Sequence, residues 1–283
     1  MKFHEKPASF VSDLTLKVQD LKRSKQFYEK IMGFTVLSEE ESKVIFTVNG
    51  EDPILTIYTF SLMKNLQPRK TGLYHFAVLL PERKDLAKFI RNIIVCDYPL
   101  HGASDHGVSE ALYLSDPDGN GIEVYYDRPS EDWVWNEEQV HMISDQLDIA
   151  DIMTNLDGTT WDKAPKDTVL GHIHLHVNDL LESEYFYKEL LGLDVVCRYG
   201  GQALFVSFNK YHHHIGLNTW NGVGAPAPEA DSVGLDYYTI KYASEKLLKE
   251  VLQKLEKAQV NVEQKGLSYF VLDPSKNKIE LTV

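Results

Sequence analysis

Two hydrophobic periods alternate along this chain, and the order in which they alternate recurs. In LTLKV (14–18) and IHLHV (173–177) every second residue is apolar, the period of a strand with one buried face. Each strand runs into V-x-D-L. A stretch follows in which Ser24, Phe27 and Tyr28, or Ser183, Phe186 and Tyr187, fall three and four residues apart, as on one face of a helix. A glycine and a second predicted strand come next. Laid over one another without a gap, 13–37 and 172–196 agree at nine of 25 positions.

A second pair is fainter. Leu114–Tyr126 (LSDPDGNGIEVYY) matches Val271–Val283 (VLDPSKNKIELTV) at five positions. Upstream, GLYHFAV from Gly72 lines up with GLDYYTI from Gly234, and each precedes a predicted helix, 82–94 and 244–258. The pattern predicts an α+β fold of four tandem βαβββ modules at roughly 10–60, 71–127, 168–220 and 233–283. Asp116-Pro-Asp-Gly-Asn120 reads as the turn between the last two strands of module two. The division expected is 1–127 for modules one and two, 128–167 for a connector, and 168–283 for modules three and four. The connector is too long for a plain loop. It predicts a short helix over 145–156, and Trp133, Trp135 and Trp161 should pack it against a domain.

Composition narrows the function. At 283 residues the chain can bury substantial cores, with 43% hydrophobic and 25% charged residues. Net charge is −13 with the acids dispersed, which disfavours nucleic acid and points to a small-molecule partner. Cys96 and Cys197 form neither a metal spacing nor a disulfide framework. No apolar run reaches the roughly 18 residues of a membrane span, and MKFHEKPASF lacks a signal h-region, so the cytoplasm is the default expectation.

The V-x-D-L…F-Y…L-G-L pattern, DPDGNGIE (116–123) and YHHHIGLN (211–218) resemble the vicinal-oxygen-chelate superfamily: glyoxalase I, type I extradiol dioxygenases, and fosfomycin- or bleomycin-resistance proteins. The wording is most similar to bacterial catechol 2,3-dioxygenases. The resemblance implies modules paired into two half-open barrels, with metal ligands on the first and last strands of paired modules. Those positions are Asp13, His75, His172 and Tyr237 on first strands, and Glu123 and Glu280 on last strands.

Ligand arithmetic then bears on pairing. One with two would offer Asp13, His75 and Glu123; three with four would offer His172, Tyr237 and Glu280. Only nested pairing, two with three and one with four, assembles the two-histidine, one-carboxylate set of non-haem Fe(II) oxygenases: His75, His172 and Glu123. The companion cup would hold Asp13, Tyr237 and Glu280, a poor metal site. Fe(II) is the ion implied, with Mn(II), Zn(II) and Ni(II) also compatible. For His75 the plain alternative is a packed core histidine, and His174 and His176 share the face of His172 as supporting or packing groups.

His212-His213-His214 is the most informative run outside the ligands. On a strand, His213 faces opposite to its neighbours, and the resemblance makes it the acid/base histidine; parity alone leaves His212 with His214 open. The resemblance also assigns Tyr113 to the substrate oxygen and, more loosely, His106 to proton transfer. Module four has Phe270 where module two has Tyr113, which favours module two as the active partner. The expected reaction is extradiol cleavage of a catechol-type aromatic by O2, with no partner subunit required. A glyoxalase-like isomerase or lyase, which fills a fourth protein ligand position, and a non-catalytic drug-binding protein are the rivals.

Overall fold

The computed structural model describes residues 3–283. Module one comprises β1 (Phe10–Lys17), α1 (Leu21–Lys30), β2 (Thr35–Glu40), β3 (Lys43–Thr47) and β4 (Pro53–Tyr58). Module two comprises β5 (Gly72–Leu80), α2 (Arg83–Val95), β6 (Gly102–Asp105), β7 (Ser109–Ser115) and β8 (Gly121–Asp127). The connector carries a two-stranded ribbon, β9 (Trp135–Asn136) with β10 (Gln139–Val140), and a helical turn, α3 (Ile149–Met153). Module three has β11 (Val169–His176), α4 (Leu180–Glu184) continued by a π-helical turn (Tyr185–Leu190), β12 (Asp194–Tyr199), β13 (Ala203–Ser207) and β14 (Ile215–Asn218). Module four has β15 (Gly234–Lys241), α5 (Glu245–Lys257), β16 (Glu263–Lys265), β17 (Ser268–Leu272) and β18 (Lys278–Thr282).

The repeated V-x-D-L has a physical basis. Its aspartate caps the helix: Asp20 accepts from the Arg23 amide and Asp179 from that of Glu182, both at 2.9 Å. The F-Y tyrosine and the turn aspartate also belong together. Buried Tyr28 donates to Asp116 and buried Tyr187 to Asp273, both at 2.9 Å, while Asn120 and Asn277 saturate those carboxylates. These two bonds join module one to two and module three to four.

Strand pairing runs the other way. One eight-stranded sheet has the order β12-β13-β14-β11-β5-β8-β7-β6, and the other β16-β17-β18-β15-β1-β4-β3-β2. Modules two and three therefore share a curled sheet through antiparallel β5 and β11, and modules one and four share the other through β1 and β15. Within each module the first and last strands pair in parallel, as β5 does with β8 and β11 with β14. One continuous core lies outside the cups, fed by Phe76, Val78, Ile122, Val124, Ile173 and Leu175 from one sheet and Leu14, Leu16, Leu55 and Ile279 from the other. Strand alternation sends the residues between them into the cup. Among the described residues no helix is long and apolar enough to cross a membrane.

Two expectations need correction. The connector helix is shorter than 145–156, because Asp145 is held in a bridge with Asp105 and the helix starts only after the Asp148 cap. His212–His214 lie in the turn before β14 rather than on a strand. The connector tryptophans do pack inward: Trp161 donates to the Ile31 carbonyl and meets Phe89 edge-on, and Trp133 is buried against Tyr211.

A bulge at Gly171 breaks the β5–β11 register, so that Leu170 and Ile173 both reach the core while His172 faces the cup. A Cβ at Gly171 would lie 1.8 Å from the Tyr125 hydroxyl, itself buried and bonded to Tyr211 at 2.7 Å. Gly171→Ala is therefore expected to destabilise the protein by about 2 kcal/mol in urea unfolding, as overpacking does. Tyr125→Phe in the same chain should return part of that loss. An alanine variant as stable as the parent would contradict this packing.

Candidate metal centre

Three strands deliver the central cluster. His75 comes from β5, Glu123 from its parallel neighbour β8, and His172 from its antiparallel neighbour β11. The nitrogens Nε2 of His75 and of His172 lie 3.1 and 3.2 Å from the same carboxylate oxygen, Oε2 of Glu123. All three side chains are buried, and their potential ligand atoms fall within 4.8 Å of one another. Among the described residues this is the one such group.

The polar accounting suits a cation. Nε2 of His75, although 3.1 Å from the Glu123 carboxylate, is buried without an aligned hydrogen bond, an arrangement that costs free energy unless something else occupies it. Burial lowers the His172 pKa to about 4 against the opposing pull of Glu123, so its imidazole is neutral at pH 7. Burial alone would push Glu123 up, but His172 and His75 outweigh it and hold the carboxylate well below its ordinary range. A neutral imidazole beside an ionised carboxylate is the protonation state that a divalent ion requires.

His75 and Glu123 line a cavity of about 250 Å³, whereas His172 is buried outside its lining. His213 lines one wall, its ring centroid 4.1 Å from that of His172 and 4.9 Å from Phe205. Burial and the neighbouring histidines hold its pKa well below 6.5. Opposite, Tyr113 faces Glu123 across the β7–β8 ladder, and its ring lies 5.7 Å from His75. His106 Nδ1 meets the Ile143 carbonyl at 2.9 Å, which can only accept, so that nitrogen carries the proton. Its Nε2 then accepts from the Tyr113 hydroxyl at 2.6 Å. Burial and Glu123 push the Tyr113 pKa well above 10, keeping the phenol protonated.

His174 and His176 lie on the cup face but outside the cluster. His174 pairs with His75 across the strands and bonds Asn218 at 3.0 Å, and Asn218 also bonds His176 at 2.7 Å. His212 and His214 turn away from the cavity, toward Asp127 and Ser207 respectively. In the companion cup, Thr239 stands 3.0 Å from Asp13 and 3.3 Å from Glu280, and Lys278 lies over the Tyr237 and Phe270 rings. No histidine enters that set. Sequence reasoning missed Met142, Ile143 and Ser144, connector residues that wall the cavity, and Asp127, one strand-face step beyond Tyr125.

Over 262 residues, 92% of each chain, this chain is 42% identical to the catechol-2,3-dioxygenase of Bacillus subtilis (strain 168). The chain belongs to the glyoxalase/bleomycin resistance protein/dioxygenase superfamily. The superfamily's model matches residues 11–124, a span that crosses from one sheet to the other. Glyoxalase I from Zea mays has the same fold: TM-score 0.60 at 15% identity, over 97% of this chain and 92% of that one. The cppA protein from Streptococcus pneumoniae TIGR4 gives 0.58 at 12% identity, over 96% and 98%. Superfamily membership brings divalent-metal chemistry into scope, and the His75–Glu123–His172 cluster offers a place for it.

Burial makes the metal-free chain acid-sensitive. His4 and His172 both have pKa values lowered by burial to about 4. The unfolded chain therefore binds more protons than the native one between about pH 6.5 and 4. Stability should fall with pH through that window, each histidine contributing a slope of about 1.4 kcal/mol per pH unit. Urea unfolding at pH 7.5, 6.0 and 5.0 should show the decline, and a flat profile would contradict the burial.

Proposed function

We propose that this protein is an extradiol ring-cleaving dioxygenase, which opens a catechol-type aromatic with O2 and uses Fe(II) held by His75, His172 and Glu123. The observation carrying this reading is the meeting of that cluster with a cavity that two of its members line. His75 and Glu123 of the cluster line the cavity together with the acid/base candidates His213, Tyr113 and His106, and His172 completes the donor set beside them. Identity of 42% to a protein named catechol-2,3-dioxygenase supports the reaction type.

His75, His172 and Glu123 would hold the divalent iron, which when bound would supply Lewis-acid and redox chemistry at this site. The chain's own residues do the rest. His213, neutral at pH 7, takes a proton from a substrate hydroxyl and later returns one to the product. Tyr113 commits its own proton to His106, which leaves its oxygen to receive a hydrogen bond from the substrate. Phe205 and Trp220 line the cavity beside the ring. Among the described residues neither Lys nor Arg lines it, which favours an uncharged catechol over a carboxylated one.

A glyoxalase-like isomerase would need a fourth protein ligand. The cluster of potential ligand atoms contains His75, Glu123 and His172 and does not include His213, which supports the three-ligand reading. Mn(II), Zn(II) and Ni(II) suit the same donors.

Anaerobic loading with Fe(II), then exposure to a catechol panel in air, tests the proposal. We expect a coloured ring-opened product with one O2 consumed per substrate, abolished in His75→Ala and His172→Ala. Tight metal binding with no turnover of any catechol would move the reading to the isomerase class. Absence of metal binding would move it to a ligand-binding protein.

A further inference from the structure

A chain of hydrogen bonds leads out of the cavity behind His213. Its Nδ1 lies 2.8 Å from Nδ1 of His212, and Nε2 of His212 lies 2.8 Å from Oδ1 of Asp127. The other oxygen of Asp127 accepts from the Tyr211 hydroxyl at 2.9 Å, and Tyr211 is in turn bonded to Tyr125. His212 is fully buried, and the Asp127 side chain keeps 18% of its exposure. Glu123, Tyr125 and Asp127 alternate along the cup face of β8, so one strand supplies both the central carboxylate and the carboxylate that ends this chain.

The donors and acceptors have one consistent arrangement for neutral rings. A carboxylate only accepts, so His212 carries its proton on Nε2. Its Nδ1 is then an acceptor, and the 2.8 Å contact requires His213 to donate from Nδ1. His213 is left with a bare Nε2 on a ring that lines the cavity. We propose that Asp127 and His212 are positioning residues which fix the tautomer and orientation of His213, so that its basic nitrogen is the one presented to substrate. When Nε2 gains a proton during turnover, the Nδ1–H bond to His212 and its bond to Asp127 stabilise the cation that forms.

This inference rests on the proposed acid/base role of His213 for its catalytic consequence, but the tautomer is measurable without it. Nitrogen-15 NMR of histidine-labelled full-length protein, metal-free and loaded with diamagnetic Zn(II), should show His213 protonated at Nδ1 and bare at Nε2, and His212 the reverse. Asp127→Asn, with its amide turned to donate to His212, should invert both tautomers. In the Fe(II)-loaded enzyme this variant should lower kcat about a hundredfold, within the usual range for losing a general base, with KM for catechol and iron content unchanged. Asp127→Glu should recover a large part of the rate.

A wild-type spectrum with His213 bare at Nδ1 overturns the proposal, whether or not the protein cleaves catechols. So does an Asp127→Asn enzyme with parental kcat. If no catechol is turned over, the ring-cleavage reading fails and the NMR result alone decides the tautomer claim. Should Asp127→Asn not fold, the wild-type spectrum still decides it.

Discussion

The antiparallel pairing of β5 with β11 is the constraint on which the rest of the molecule depends. It sets His75 beside His174 in register, and the bulge at Gly171 keeps His172 on the same face of the sheet. The parallel ladder from β5 to β8 then places Glu123 beside Ala77, between the two imidazoles. Each histidine belongs to a different module, and the carboxylate lies on the last strand of only one. Remove this seam and the three groups have no common floor. The buried Tyr28–Asp116 and Tyr187–Asp273 bonds act across it, tying each module to its sequence neighbour while the strands tie it to a more distant one.

Two cups with one scaffold have therefore taken different chemical content. The β1–β15 seam repeats the geometry of β5–β11, bulge included, yet it presents Asp13, Tyr237, Thr239 and Glu280. Burial raises the Asp13 pKa against the opposing hydrogen bonds from Ser12 and Thr239, and the nearby Glu280 charge adds to the rise. Lys278 lies over the rings of Phe270 and Tyr237, placing a cation beside the position where module two has Tyr113. The cups share a fold, and the difference lies in a few inward-facing positions, which is where function is carried on a common scaffold.

Much of this was legible in the sequence because repetition amplifies weak signals. LTLKV against IHLHV, the capping Asp20 and Asp179, and the paired Asp116 and Asp273 turns each mean little alone. Together they define the module. His75 and His172 stood on first strands and Glu123 on a last strand, the places the family resemblance marks for ligands. Asp127 did not stand out, since its meaning comes from a hydrogen bond to His212, 85 positions away. Nor did the connector's wall residues: Ile143 matters through its carbonyl, a group that every residue type possesses. The triple histidine was noticed but misplaced on a strand. Its alternation comes from the turn before β14, with His213 inward and its neighbours bound to Asp127 and Ser207.

The central claim is that one cup, built from modules two and three, holds a single divalent ion through His75, His172 and Glu123. Metal content after equilibrium dialysis against Fe(II) under anaerobic conditions, for Glu123→Gln beside Glu280→Gln, tests it most directly. The account predicts one iron per chain in Glu280→Gln, as in the parent, and loss of about a hundredfold in affinity in Glu123→Gln, which removes the only anionic donor of the set. Loss of iron from Glu280→Gln with retention in Glu123→Gln would contradict the account, and would place the centre in the other cup.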